Sequence, residues 1–323
     1  MTVRVPAKVN LQLSVGPPRG DGYHDLVTVF QAVSLFDSVT VQPAERTSVV
    51  VTGEDAASVP AGRANLASRA ARALATSALR RKGKSAVRIE IRKRIPVAAG
   101  LAGGSADAAA TLVACNELWG LGLTQSELRE VAAGVGSDVP FALLGGTAIG
   151  QGRGEQLTAA LTAGTYHWVL AFAAGGLSTP EVYAACDRLR AARAAAGRRD
   201  PAGGGISQAG NPGEDYQPRL STELMAALRS GDPSAVGPLL SNDLQPAAVS
   251  LRPDLRRALN AGREHGALGA IVSGSGPTCA FLAKDARRAR ELAVSLTGAG
   301  VCRAVVQVKG PAAGAAIVVA ERP

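Results

Sequence analysis

The first residues of the chain alternate between apolar and polar side chains with a period of two. Lys8 and Asn10 lie on the polar side of this pattern. Such alternation predicts a β-strand over 3–15 with one buried face. The same period predicts strands over 27–35 and 87–92, with shorter strands near 39–42 and 48–52. The apolar positions of the first strand are Val3, Val5, Val9, Leu11, Leu13 and Val15.

Helices are predicted between and after these strands. Asn65 is suited to cap a helix that runs to about Lys82, where Gly83 would end it. An alanine-rich stretch predicts a second helix over 106–118, and the capping-box pattern TQSE at 124–127 predicts the start of a third. Because strands precede the main helices, we expect a mixed α/β first half.

The composition changes between about 190 and 220, where Gly, Pro and charged residues are many and large apolar residues are few. We expect a partly helical, then flexible, surface insertion there. The following pattern alternates between helices and strands and predicts a second, α+β domain. We therefore divide the chain into domains at 1–155 and 156–323. The predicted elements are helices over 221–230, 234–240, 253–265 and 285–297, and strands over 268–272, 278–283 and 301–308.

Composition excludes several classes of protein. An apolar content of 46% is too high for a disordered chain, and an aromatic content of 3% argues against a surface that stacks nucleic-acid bases. The net charge of +9 suggests either an anionic partner or simple solubility. The chain has no apolar run near ~18 residues and no signal-peptide core at its start, so we expect a cytoplasmic protein. Its four cysteines form no CxxC pair, so we expect no protein metal site.

The strongest local motif is PVAAGLAGGSADAAA, which starts at Pro96, follows a predicted strand and opens a predicted helix. Its glycines allow backbone N–H groups to converge, and the positive end of the helix dipole would complete an anion site. No Gly-Lys-Ser/Thr follows, so it is not a Walker A loop. On these residues alone, an ordinary strand-to-helix turn with small residues stays an alternative.

Three weaker motifs are GSDVPF around Asp138, SGSGPT at 273–278 and GYH at 22–24. Taken alone, Asp138 is typical of a turn in which the side chain bonds its own backbone, and SGSGPT is typical of a β-turn. The GYH segment combines an aromatic ring with an imidazole, which can stack on a ligand or hydrogen-bond it. Each motif by itself is also compatible with a purely structural role.

Together, PAKVNLQL, PVAAGLAGGSADAAATL, GSDVPF and SGSGPT occur in an order that resembles the GHMP small-molecule kinases over essentially the whole chain. The resemblance implies a two-domain α+β fold. Its N-terminal α/β domain would contain a left-handed βαβ unit, and its C-terminal domain would be ferredoxin-like. Ala98, Ala99 and Ala102 stand where the family commonly has glycine, so we expect reduced flexibility in the loop.

The resemblance also implies the chemistry. ATP phosphates would lie on the loop, with Mg²⁺ bridging their oxygens. Asp138 would be the base that takes the proton of the acceptor hydroxyl, and Lys8 beside it would polarise that hydroxyl. The residues that the resemblance assigns to ATP are Asn65, Lys93, Pro96, Gly100, Leu101, Ala102, Gly103, Gly104 and Ser105.

The segments PAKVNLQLSVG…DGYHDL and GSDVPF narrow the resemblance to the branch whose acceptor is a cytidine diphosphate-linked methylerythritol, phosphorylated on its 2-hydroxyl in non-mevalonate isoprenoid biosynthesis. The segment STPEVY resembles the one that carries an aromatic residue stacking on cytosine, here Tyr183. The resemblance implies that Asn10, Tyr23, His24 and Tyr183 bind the acceptor. Two alternatives stay open: a kinase for homoserine, mevalonate, phosphomevalonate or a sugar, and a non-catalytic ligand sensor. We expect a small-molecule substrate, no nucleic-acid or membrane partner, and a monomer or weak homodimer.

Overall fold

A computed structural model describes residues 1–78, 85–195 and 216–318 and contains two β-sheets. The strands are β1 (Thr2–Pro18), β2 (His24–Pro43), β3 (Ser48–Gly53), β4 (Val87–Lys93), β5 (Thr147–Gln151), β6 (Gln156–Ala159), β7 (Tyr166–Phe172), β8 (Ser241–Asn242), β9 (Gly269–Val272), β10 (Cys279–Ala283), β11 (Ala304–Gly310) and β12 (Ala316–Ile317).

Helices cover the sheets and connect their strands. They are α1 (Leu66–Ala78), α2 (Gly103–Leu118), α3 (Gln125–Val135), α4 (Val139–Leu144), α5 (Thr179–Ala195), α6 (Thr222–Ser230), α7 (Pro233–Val236), α8 (Gln245–Leu251), α9 (Asp254–Glu264) and α10 (Ala286–Gly298). Within the described ranges, no helix is long and apolar enough to cross a membrane.

The first sheet is built on the long antiparallel pair β1–β2 and has the order β12-β1-β2-β4-β3. The predicted strands over 27–35 and 39–42 are one continuous strand, β2, which bends at irregularities in its pairing with β1. Strands β3 and β4 are parallel and joined through α1, so the structure contains the expected βαβ unit.

The helices of the first half pack on this sheet. Thr124 begins α3 with the predicted capping box. Helix α2 begins at Gly103, three residues before the predicted start, so the end of the glycine-rich motif is helical. The predicted end of the first helix, at Lys82 and Gly83, lies outside the described residues.

The second sheet has the order β11-β7-β10-β9 and is antiparallel throughout. In chain order this is 4-1-3-2, with helices between β7 and β9 and between β10 and β11. This confirms the ferredoxin-like expectation. Of the proposed insertion, 190–195 belong to α5, and 196–215 lie outside the described residues.

The predicted division after residue 155 falls between β5 and β6, which pair with each other in the first sheet. Two short strands from the second half, β8 and β12, also pair with β1. The second sheet begins only with β7. The domain boundary therefore stays a prediction, and the two halves of the chain are joined through β1.

Candidate active site

The loop between β4 and α2 turns through the left-handed region three times, at Ala98 (φ 51°), Gly100 (φ 75°) and Ala102 (φ 59°). Ala102 is the N-cap of α2 and has no side chain that can accept a hydrogen bond. The N–H groups that open a helix lack intrahelical partners, so this helix start keeps donors available for an anion. Gly103, Gly104 and Ser105 form its first turn, where the sequence predicts the phosphate site.

The loop is held from the second half of the chain. The Ser273 hydroxyl donates to the Gly100 carbonyl at 3.1 Å, and the Thr278 amide donates to the Ala99 carbonyl at 3.3 Å. A Cβ at position 100 would lie 2.1 Å from the Ser273 carbonyl oxygen, so only glycine allows this approach. The SGSGPT segment thus braces the loop, and Gly274 also lies against Lys8, where an added Cβ would be 2.9 Å from Nζ.

Lys8 is a buried cation on β1, with 6% of its surface exposed. Its Nζ donates to Asn10 Oδ1 at 2.6 Å, and Asn10 Nδ2 donates to Thr28 Oγ1 at 2.9 Å. Its backbone amide donates to the Leu101 carbonyl at 3.3 Å, which ties β1 to the loop. Burial lowers the pKa of Lys8, and the negative charge of Asp138 opposes that shift. Lys8 therefore hydrogen-bonds Asn10 and lies within electrostatic reach of Asp138.

Asp138 lies in the turn between α3 and α4 and is half-buried. Its side chain makes no capping hydrogen bond, so the alternative of a turn aspartate bonded to its own backbone is wrong. In the described part of the chain, no ion pair within 4.0 Å joins it to Lys8. Its charge also acts on Tyr183, whose pKa is raised chiefly by burial. Asp138 thus lies near both β1 and α5.

The residues expected to hold the nucleoside end of the acceptor lie together. The rings of His24 and Tyr183 are 4.9 Å apart between centroids and tilted by 44°. His24 Nε2 lies 3.1 Å from each carboxylate oxygen of Asp187, a partner that the sequence reasoning missed. Tyr23 is 52% exposed and lies under the Arg153 guanidinium at 5.1 Å. Asp187 follows Tyr183 by about one turn of α5, and this i, i+4 spacing is what could have identified Asp187 from the sequence.

The structure shows the surroundings of two residues that the resemblance assigns to ATP, Asn65 and Pro96. Asn65 Oδ1 accepts from the Ala67 amide at 2.8 Å, and its Nδ2 donates to the Pro60 carbonyl at 3.0 Å, so it caps α1 as predicted. Pro96 is buried and lines a small pocket beside the loop. Binding of ATP by Asn65 therefore stays a prediction beside its capping role.

Lys93 is buried beneath the start of α2 and bonds two carboxylates, Asp37 at 2.5 Å and Asp107 at 2.8 Å. A Cβ at Gly103 would lie 3.1 Å from its Nζ. Asp37 also accepts the backbone amides of Arg94 and Ile95, so this cluster fixes the end of β4 to α2. The sequence reasoning missed both carboxylates, although Asp107 stands out as a charge in the alanine-rich first half of α2.

Asp107 is the unusual member of this buried cluster. Burial raises its pKa to about 8, Lys93 opposes the shift, and Asp37 adds to it. Its Oδ1 is buried and has no hydrogen-bond partner. The described residues contain no group of three or more His, Cys, Asp or Glu arranged to hold a metal ion.

Comparison with known proteins agrees with this geometry. The chain matches the model of the GHMP kinases N terminal domain over residues 65–146 and that of the GHMP kinases C terminal domain over 224–302. It is 55% identical over 318 residues to the 4-diphosphocytidyl-2-C-methyl-D-erythritol kinase of Mycolicibacterium smegmatis, covering 98% of this chain and 92% of that one.

Two further proteins give the same result. The corresponding kinase of Nocardia farcinica is 54% identical over 318 residues, covering 98% of this chain and 95% of that one. A crystal structure of 4-(cytidine 5'-diphospho)-2C-methyl-D-erythritol kinase superposes with a TM-score of 0.72 at 32% identity, covering 96% of this chain and 98% of that chain.

Proposed function

The chain belongs to the GHMP kinases, and within them to the 4-diphosphocytidyl-2-C-methyl-D-erythritol kinase family, and from this premise we propose that it transfers the γ-phosphoryl group of ATP to the 2-hydroxyl of that cytidine diphosphate-linked acceptor. The reaction belongs to non-mevalonate isoprenoid biosynthesis. The observation that carries the proposal is the meeting of Lys8, the charge of Asp138 and the loop before α2 at one place.

Asp138 is proposed as the base. Its carboxylate is not used as a helix cap, so it is available to accept the proton of the acceptor hydroxyl. Lys8 is proposed to polarise that hydroxyl. Burial makes its ammonium an effective source of positive charge because little water screens it. Asn10 holds Nζ in place at 2.6 Å and thereby orients the cation.

The helix start at Gly103–Ser105 is proposed to bind the ATP phosphates. It combines the helix dipole with N–H groups that no capping side chain occupies. The loop carbonyls of Ala99 and Gly100 are bonded to the second half, so the loop is shaped before the nucleotide arrives. A preorganised donor set is what phosphoryl transfer requires, because positioning and charge stabilisation supply most of the catalysis.

Mg²⁺ is proposed to arrive bound to phosphate oxygens, since the described residues offer no ligand cluster of their own. When bound, the ion would neutralise phosphate charge. The protein's own contribution is then to bind the phosphates, to orient the acceptor and to remove its proton. The predicted role of Lys93 in ATP binding is supported by its position beneath the helix start, which it holds through Asp107.

The acceptor is proposed to place its cytosine beside Tyr183, His24 and Tyr23. An exposed tyrosine and a tilted Tyr183–His24 pair offer a stacking surface with polar edges. The reacting methylerythritol is small, so binding of the remote nucleoside would position it. The basic surplus of the chain suits the diphosphate.

A coupled assay with Mg-ATP and a panel of acceptors tests the proposal. The panel holds 4-diphosphocytidyl-2-C-methyl-D-erythritol, methylerythritol 4-phosphate, homoserine and mevalonate. We expect efficient turnover of the first compound alone, with the product identified as a 2-phosphate by ³¹P NMR. Efficient phosphorylation of homoserine or mevalonate would instead leave only the broader kinase family.

A further inference from the structure

Among the described residues, the imidazole of His24 has one hydrogen-bond partner, Asp187, and this partner determines where the ring carries its proton. Both oxygens of the Asp187 carboxylate lie 3.1 Å from Nε2, and only 9% of the His24 side chain is exposed. Asp187 and Tyr183 are four residues apart on α5, so one helix supplies both the carboxylate and the neighbouring ring. Any movement of the imidazole would have to break the bond to Asp187.

A carboxylate only accepts hydrogen bonds, so the bond to Asp187 requires a proton on Nε2. In the neutral ring this leaves Nδ1 as a lone-pair acceptor, because the partner of one ring nitrogen decides where the proton lies. Across the described ranges, no residue hydrogen-bonds Nδ1. In its neutral form, His24 therefore presents an acceptor of fixed position and polarity.

Pyrimidine bases differ at the position that such an acceptor would read. Cytosine carries an exocyclic amino group, which donates, whereas uracil carries a carbonyl oxygen at the same place, which accepts. An acceptor on the protein pairs with the first. With uracil, the lone pair of the protein acceptor would face the lone pairs of the carbonyl oxygen. This repulsion would reject the wrong base.

Resting on the proposed function, which places the cytidine beside His24, we propose that Asp187 is a positioning residue that sets base specificity. By keeping the proton on Nε2, it makes His24 Nδ1 an acceptor for the amino group of cytosine and rejects uracil. Asp187 itself is not proposed to touch the base. A merely structural role, in which it fastens α5 to β2, would affect all nucleotides equally.

Asp187→Asn separates the two roles. The amide has the same shape but can present either its oxygen or its NH₂ group to Nε2, so the ring can take either tautomer. With cytosine the original arrangement persists. With uracil the amide flips, Nε2 accepts, and Nδ1–H donates to the uracil oxygen. The substitution should therefore improve the binding of uridine nucleotides, which loss of a structural contact does not do.

The test is isothermal titration of the full-length protein with CDP and with UDP. We expect the unsubstituted protein to bind CDP at least about tenfold more tightly than UDP. In Asp187→Asn, UDP affinity should rise by about fivefold or more while CDP affinity changes less than about threefold. Glu181→Gln, which removes an exposed carboxylate from the same helix, is the matched control and should leave both affinities unchanged.

A rise in UDP affinity of less than threefold, or equal affinities in the unsubstituted protein, would overturn the role of Asp187. Asp187→Ala gives a second readout, because it frees the tautomer without an amide and should also narrow the CDP preference. Titration involves no phosphoryl transfer. Failure to phosphorylate the cytidine acceptor would thus overturn the proposed function without touching this result, and loss of the CDP preference with turnover intact would overturn only the specificity role.

Discussion

Gly100→Ala perturbs the closest approach in the candidate site. The substitution places a methyl group 2.1 Å from the Ser273 carbonyl oxygen and 2.8 Å from the Gly276 amide nitrogen. Both neighbours are backbone atoms, so no side chain can rotate away. Ordinary contact begins near 3.4 Å, so the two loops must part by about 1.3 Å. We therefore expect Gly100→Ala to loosen the phosphate loop as well as to destabilise the fold.

The magnitude has two parts. A non-glycine residue at φ 75° costs about 1–2 kcal/mol, and reduced freedom of the unfolded chain returns about 0.4–1 kcal/mol of this. The separation of the loops adds about 1–3 kcal/mol, the usual cost of overpacking, which includes the strain on the bond from the Ser273 hydroxyl to the Gly100 carbonyl. Gly266→Ala shares the first part, since Gly266 has φ 84° and open space around its Cα.

Urea unfolding and steady-state kinetics would measure the difference between these two variants. We expect Gly100→Ala to be less stable than Gly266→Ala by about 1–3 kcal/mol. Its KM for ATP should rise about tenfold or more, because the displaced loop carries the proposed phosphate site, while Gly266→Ala keeps the original KM. Equal stability of the two variants, together with an unchanged KM for ATP, would refute the assignment of the loop.

Further predictions concern catalysis, stability and substrate choice. Asp138→Asn and Lys8→Met should each lower kcat by about 10²-fold or more with little change in ATP affinity by titration; near-normal turnover in either variant would remove that residue from the mechanism. Burial raises the pKa of Asp107 from 3.8 to about 8, so the folded state binds a proton that the unfolded state loses between these values. The free energy of unfolding that this group contributes should therefore fall as pH rises from about 4 to about 8. Urea unfolding across this pH window should show a smaller fall in Asp107→Asn, and an identical fall would contradict the shift. Methylerythritol 4-phosphate should be a very poor acceptor in the coupled assay. In His24→Ala and Tyr183→Ala, the difference in rate between the full acceptor and methylerythritol 4-phosphate should shrink, chiefly because activity on the full acceptor falls. Equal rates with and without the cytidine would contradict this.

The period-two pattern of β1 predicted its buried face and placed Lys8 beside Asn10. It did not predict that the second face is covered too. Gln12 and Ser14 are 5% and 6% exposed because the chain returns over them at 216–221, where Arg219 accepts from Gln12 at 2.6 Å. Contacts between positions more than 200 residues apart leave no trace in a local pattern. The polar face of β1, which the local pattern predicts to face solvent, is therefore buried in the structure.

Helix α5 shows a second kind of feature that the sequence alone predicts poorly. Val182, Ala185 and Cys186 are its buried residues, so its apolar stripe is narrow and predicts a helix only weakly. The segment was recognised through Tyr183 and the resemblance, whereas Asp187 was overlooked because a lone aspartate on a charged helix is typical of a solvated face. Its role depends on His24, which β2 brings beside it although the two residues are 163 positions apart in the sequence.

The alanines of the phosphate loop explain how this chain manages without the usual glycines. Ala98 and Ala102 both lie in the left-handed region, where each costs about 1 kcal/mol or more. Ala98 is compensated, because its carbonyl accepts from the Leu177 amide at 3.4 Å and Gly176 leaves room for its side chain. An alanine in this conformation has fewer alternatives than a glycine, so the same strain that costs stability also restricts the loop. The contacts of the loop with the second half of the chain thus give a physical basis for the reduced flexibility expected from the sequence, which stays a prediction.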